Sequence, residues 1–250
     1  MLEKNQNPNL QSEEQWRSIF RVGAFTTFLA ILGTIFDILV GSTLGGDLST
    51  TPITAIDKFN QFNDNWLIGL YNLDFLNAVT TVLMIPGYFA LWAAHRRTNV
   101  SYVTLATIIY YIGAAVFITK NAALPMLDLS NKFFAATSIA QKNLLAAAGE
   151  AYLAGGGHGS PGALAGFVLL STGSLMMAFG MLKGNLFSRR TAYVGILGSS
   201  LLLIYVLLVT FVPEIKNIAV SVAAPGGLLA LAWTIMFTKK LFELGKEKNI

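Results

Sequence analysis

The sequence predicts an all-α fold: a polytopic membrane helix bundle of six transmembrane helices, both termini cytoplasmic, with amphipathic helices on the outer face. Three observations predict it. Hydrophobic residues make up 54% of the chain and charged residues 12%, with a mean hydropathy of +0.59. That charged share is about half of what a soluble domain carries, too little to coat a water-facing surface, so a soluble domain and a disordered chain are both excluded. Second, the runs 98–119, 191–213 and 217–238 contain no Lys, Arg, Asp or Glu, and each meets the need for about 20 apolar residues to cross about 30 Å of hydrocarbon. Third, the charges are sorted. With the N-terminus inside, the inner segments hold Lys4, Arg17, Arg21, Arg96, Arg97, Lys183, Arg189, Arg190, Lys239, Lys240, Lys246 and Lys248, twelve of the 17 Lys and Arg, as cytoplasmic loops should.

In chain order, residues 1–15 read as a polar tail, with 1–11 disordered around Asn5, Asn7, Pro8 and Asn9. Ser12 and Gln15 have the spacing of a capping box, so a helix is expected to start ahead of the membrane. The first span covers about 20–43 and is interrupted only by Asp37. It lacks the short apolar core and small-residue cleavage site of a signal peptide and is expected to stay in place. An outer helix follows at about 52–65, with Ile53, Ile56, Phe59 and Phe62 at helical spacing. The second span, 73–95, carries Asp74 and Pro86, and a tight turn at His95–Ser101 leads into the third, 101–124. A second outer helix is expected over 128–154. Its apolar stripe is Leu129, Phe133, Ala136, Ala140, Leu144 and Tyr152, opposite Ser130, Asn131, Ser138, Gln141 and Lys142. The two outer helices either shield the ends of the spans or form a lid over a cavity.

The Gly-rich stretch around His158 reads as a loop, and Pro161 suits the first turn of the fourth span, 162–183. A turn at Lys183–Arg190 precedes the fifth span, 191–212; the sixth covers 218–239, and a basic tail occupies 246–250. One domain, 16–245, therefore holds all six spans. Gly162 with Gly166, and Gly195 with Ser199, place small residues where helices can approach closely. Pro86 and the Pro225-Gly226-Gly227 run are expected to kink or open their helices.

The candidate site is the set of polar residues that interrupt apolar spans. Asp37, Asp74 and Lys120 each cost about 2.5–3.5 kcal/mol at the membrane centre. Asp37 lies 20 residues from Arg17, Asp74 lies 21 from His95 and Lys120 lies 20 from Val100, so each stands about 30 Å from the inner side at the helical rise. Two acids and a base at one depth point to a shared binding layer, which Tyr71, Asn72, Asn77 and Asn121 flank and can complete with hydrogen bonds. Separate interfacial roles are the alternative: Lys120 snorkelling to the headgroups and Asp74 capping its helix.

Much chemistry is excluded. The chain has no cysteine, hence no disulfide, thiolate metal site or cysteine nucleophile. His95 and His158 fall on opposite membrane faces and cannot share a metal or haem. No HExxH, Walker A or GxSxG motif occurs, and no catalytic residue, metal site or cofactor is expected. The net charge of +4 sits beside the spans and gives no reason to expect nucleic acid. The sequence holds no signal of oligomeric state.

Several stretches resemble a family of bacterial multi-spanning membrane proteins classed as a domain of unknown function. They are Tyr71-Asn72-Leu73-Asp74 with the Pro86 helix, Asn121 to Pro125 leading into Leu129-Ser130, Phe187-Ser188-Arg189, Thr191 to Ile196, Trp233, and Lys240 to Gly245, together covering about 70–245. The resemblance implies an all-α protein of the bacterial cytoplasmic membrane and no particular substrate. Three functions remain open. The leading one is binding or transport of a small polar solute or ion at the outward-facing charged layer. A ligand-free accessory or assembly protein is the next. A membrane-embedded enzyme acting on a lipid-like substrate, with a carboxylate as general acid or base, comes last.

Overall fold

A computed structural model of the chain describes residues 8–44, 54–156, 160–212 and 216–246. Ile53 of the first outer stripe, His158 and the tail beyond Lys246 lie outside the described residues. The described residues form ten helices and no strand. They are α1 (Pro8–Leu44), α2 (Ala55–Asp64), α3 (Trp66–Tyr71), α4 (Phe75–His95), α5 (Val100–Lys120), α6 (Ala123–Ala135), α7 (Ile139–Gly156), α8 (Pro161–Lys183), α9 (Arg189–Phe211) and α10 (Lys216–Lys246). Six stretches are long and apolar enough to cross a membrane. Their exposed faces are apolar, with Phe25, Phe28, Leu32 and Phe36 on α1, Leu105, Ile108 and Ile112 on α5, and Leu197, Ile204 and Leu207 on α9. Such side chains have their natural solvent in lipid.

The six long helices close into a ring. Helix α1 packs on α4, α4 on α5, α5 on α8, α8 on α9, α9 on α10 and α10 back on α1. Close approach is made by glycines in register. Gly166, Gly173 and Gly180 of α8 recur every seven residues, and a Cβ on each would meet Phe117, Tyr110 and Val103 of α5, which descend by the same step. From the other side, Gly113 of α5 faces Leu169 and Leu170. The two helices are thereby locked antiparallel over their whole length, since without a hydrophobic drive between spans it is backbone approach that holds them. Gly166 thus packs as expected, whereas Gly162 abuts Gly155 of α7 and Gly195 seats the Trp233 indole. Helix α1 is tied to α10 by Thr238 Oγ1 donating to Thr27 Oγ1 at 3.0 Å and by Arg21 Nε donating to the Gly245 carbonyl at 2.8 Å. The second bond places both ends of the bundle on one face, the basic one.

The opposite face is capped. Helices α2, α3, α6 and α7 pack on one another there, around a small core of Ala55, Phe59, Phe62, Leu70, Leu73, Ala122, Ala123 and Met126. Helix α2 starts on a capping box in which Asp57 N donates to Thr54 Oγ1 at 3.2 Å and Thr54 N to Asp57 Oδ2 at 3.3 Å. The Glu150 carboxylate of α7 also accepts from Ala55 N at 2.7 Å, pinning that start to the second excursion.

Several expectations need correction. The expected helix over 128–154 is two helices, because the chain turns extended at Ala136 and restarts with Ser138 Oγ accepting from Gln141 N. The break rotates the stripe: Leu144 and Tyr152 are exposed, while Ser130, expected on the polar side, is buried and donates to the Phe59 carbonyl at 2.9 Å. In α2 the buried face is Ala55, Lys58, Phe59 and Phe62, and Ile56 is exposed. The helix at the N-terminus reaches back to Pro8, well inside the stretch read as a tail; proline is favoured in a first helical turn. Pro86 and Pro225 lie within unbroken helices. The breaks fall instead at 72–74, where Asp74 takes a left-handed φ of 58°, and after Lys120, where Asn121 ends α5.

Candidate functional site

Two spaces make up the site, a small charged pocket at the capped end, the mouth, and a larger cavity among the spans. The mouth is built on the two helix breaks. Asn121 Nδ2 donates to the Leu73 carbonyl at 2.9 Å while its Oδ1 accepts from Ala123 N at 3.1 Å. One side chain therefore ties the α5–α6 break to the α3–α4 break. Asp74 stands just before α4, but its carboxylate accepts from Asn77 Nδ2 at 3.3 Å rather than from a backbone N–H of the first turn. A side chain in a left-handed conformation outside glycine is strained and is held by its surroundings. Asp74, Lys120 and Asn121 line one small pocket with Phe117, Gly156, Ala163 and Phe167. The mouth thus gathers three of the expected residues, and Asn77 reaches the site through Asp74.

Asp37 and Tyr71 form the adjoining corner. The Tyr71 hydroxyl donates to the Asp37 carbonyl at 3.0 Å, and the Asp37 carboxylate is near enough to share that interaction. Partial burial, the Asp37 charge and hydrogen bond, and the Asp74 charge together push the Tyr71 phenol up to about 12. Asn72 ends α3 through its backbone, donating to the Ile68 carbonyl at 2.9 Å, and its side chain makes no hydrogen bond among the described residues.

Lys120 is exposed in the last turn of α5. The cation that the fold buries is Lys58 of α2, only 6% exposed. Burial lowers its pKa, and the Asp74 carboxylate opposes that shift. Tyr205 of α9 lies within electrostatic reach of the same carboxylate from across the bundle. Asp74, at the start of α4, therefore acts electrostatically on groups of α2, α3 and α9.

The Tyr71 shift gives a first expected outcome. A phenol whose folded pKa exceeds its unfolded value of about 10 adds stability that is complete below that value and is lost as pH rises through the folded one. For Tyr71 the window runs from pH 10 to about 12. The difference in phenolate absorbance between the native protein and Tyr71→Phe should appear near pH 12. A difference already complete near pH 10 would show that the hydroxyl is not held by Asp37 and Asp74.

Below the mouth lies a cavity of about 230 Å³, lined by α4, α5, α8, α9 and α10 but not α1. Tyr110 on its wall is ten residues from either end of α5, about 15 Å at the helical rise, so the cavity is near mid-span. Tyr88 and Tyr110 stack with ring centroids 3.4 Å apart, and Trp233 meets Tyr88 edge-on. The Trp233 Nε1 is used by Met181 Sδ at 3.4 Å. Tyr88 shares a 2.5 Å bond with Ser174, whose Oγ donates to the Leu170 carbonyl at 2.8 Å. The hydroxyls of Tyr110, Ser171 and Ser199 line the same space and have no hydrogen-bond partner among the described residues. Phe167 lines both mouth and cavity, and packs on Phe117 with ring centroids 4.9 Å apart. A single aromatic layer separates the two spaces.

No family model, curated protein or solved structure matches this chain.

Sequence reasoning did not find the cavity. Ser199 reads from the sequence only as a packing partner of Gly195. The available signal was that two serines three apart on α8 and one on α9 lie at mid-span depth, where a hydroxyl without a partner is costly. Lys58 was missed because its helical phase matches Phe62 and Ala55 only once Ile56 is taken off the stripe.

Proposed function

We propose that this is a multi-pass protein of a bacterial cytoplasmic membrane that binds a small polar solute from the outer side. The solute enters at the Asp74 mouth and is held in the mid-span cavity, the binding step of a transporter. The observation that supports this most is that Tyr110, Ser171 and Ser199 line one cavity and their hydroxyls have no partner among the described residues. A hydroxyl left unpaired away from water costs about 1–3 kcal/mol, and three of them in one space are explained by water or a polar solute filling it. The sorted basic residues put the capped face outside, so Asp74, Lys58 and Tyr71 meet an arriving solute first.

The absence of native cysteine makes the test clean. Ala230 lines the cavity, and Leu228, two residues along α10, is 60% exposed on the lipid side. Iodoacetamide should modify Ala230→Cys at least about tenfold faster than Leu228→Cys, since a thiol ionises in a watered cavity and not in hydrocarbon. Adding Phe167→Ala should raise the Ala230→Cys rate further by opening the aromatic layer. Equal, slow rates at both positions would mean a dry interior and would favour the accessory role, in which the polar groups only fix helix register.

A further inference from the structure

The cavity differs from its mouth in one respect that bears on the ligand. The charged side chains of the site are at the capped end: Asp74 and Lys120 line the mouth, and Lys58 lies within electrostatic reach of Asp74. The twelve residues lining the cavity include no Asp, Glu, Lys, Arg or His. An ion moved into such a space loses its hydration without gaining a counter-charge, a penalty of several kcal/mol. The cation–π attraction of the aromatic walls, about 2 kcal/mol when desolvated, does not offset it. The cavity therefore selects against net charge.

Its walls also select for shape. Tyr88, Tyr110, Trp233, Phe167 and Met84 present flat or polarisable apolar surface, which favours a ring over a chain of polyol carbons. An apolar cavity of about 150 Å³ takes up benzene; this one, at about 230 Å³, has room for a ring with a polar substituent or for two fused rings. The polar groups are spread over three walls, with Tyr110 on α5, Ser171 on α8 and Ser199 on α9. All three are hydroxyls able both to donate and to accept.

We infer that the cavity is a binding site for a small, uncharged ring compound bearing one or more hydrogen-bonding groups, held by the hydroxyls of Tyr110, Ser171 and Ser199 against the Tyr88 and Trp233 rings. This rests on the binding reading above and names its ligand class.

A matched set of probes tests the class: phenol and benzamide as neutral rings, benzoate and benzylammonium as their charged counterparts, and glycerol as a neutral polyol. Each is added to purified Ala230→Cys protein in nanodiscs, and protection of the thiol from iodoacetamide is read. Phenol and benzamide should slow labelling saturably, by at least fivefold, and this protection should vanish when Ser171→Ala and Ser199→Ala are combined in the same protein. Benzoate, benzylammonium and glycerol should leave the rate unchanged. Protection by benzylammonium equal to that by phenol would overturn the exclusion of charge. Protection by glycerol alone would overturn the choice of a ring, and protection by none would overturn the ligand class outright. These failures are distinct from failure of the binding reading, which would appear beforehand as an Ala230→Cys rate no faster than that of Leu228→Cys. A second readout needs no cysteine. In a variant keeping Trp233 as its single tryptophan (Trp16→Phe, Trp66→Phe, Trp92→Phe), phenol and benzamide should change the emission saturably at the same concentrations.

Discussion

Gly173→Leu should be among the most damaging single substitutions in the bundle, lowering stability by about 3 kcal/mol or more. A Cβ at 173 would stand 2.7 Å from the Tyr110 nitrogen and 2.8 Å from its Cα and Cβ. Backbone atoms of a packed helix cannot move aside as a flexible side chain tip can, so α8 would be levered off α5 along the whole glycine register. In a chain of this size, such a loss corresponds to a fall of about 6–12 °C in melting temperature. Gly227→Leu is the control. Nothing lies within 4 Å of a Cβ there, and removing a glycine from a helix interior gains about 0.5–1 kcal/mol. Thermal melts of the two variants in one detergent check the pair. A Gly173→Leu protein that melts with the native one would mean that α5 and α8 are not locked by backbone approach.

The second large effect concerns the charges at the mouth. Asp74→Asn should cost about 1–3 kcal/mol, because it leaves a buried cation without the carboxylate that offsets its desolvation. Lys58→Met alone should cost little or raise the melting temperature, since burial outweighs Asp74 in setting the state of Lys58. With both changes present, most of the Asp74→Asn loss should disappear, a coupling of about 1 kcal/mol or more. The same cycle run with Lys120→Met should give a smaller coupling, because the exposed ammonium is screened by solvent. If Lys120 couples to Asp74 more strongly than Lys58 does, the charged layer is centred on α5 and not on the cap.

Spans were readable wherever an uncharged run coincides with a helix. The second was expected over 73–95 and runs Phe75–His95, and the fourth over 162–183 and runs Pro161–Lys183. The outermost helices are longer than the runs because α1 and α10 continue past the hydrocarbon on charged residues, which no count of apolar positions can follow. Of the three residues that the depth argument set in one layer, Asp74 and Lys120 line one pocket, since rise per residue is fixed whatever the packing, while Asp37 pairs with Tyr71 instead. Rotation about each helix axis is not fixed in that way. Lys58 faces inward and Lys120 outward because of which neighbours Phe59 and Phe117 find, and those neighbours are 71 and about 50 residues away in sequence. The cavity was invisible for the same reason. It exists only because α4, α5, α8, α9 and α10 close around it, and each of its hydroxyls, taken alone in its own span, is unremarkable.

The separate core of the cap has a consequence for how the chain is made. Phe59 of α2 packs on Phe133 of α6, and the Phe59 carbonyl is satisfied by Ser130, 71 residues later in the chain. At synthesis rates of about 5–20 residues per second, α2 is complete about 4–14 s before that partner is. During this interval Phe59 lacks its α6 cover, while Phe62 already has Gly69 of α3 beside it. The first excursion must therefore wait at the membrane, and the cap can close only after the second and third spans, α4 and α5, have delivered α6 to the same side.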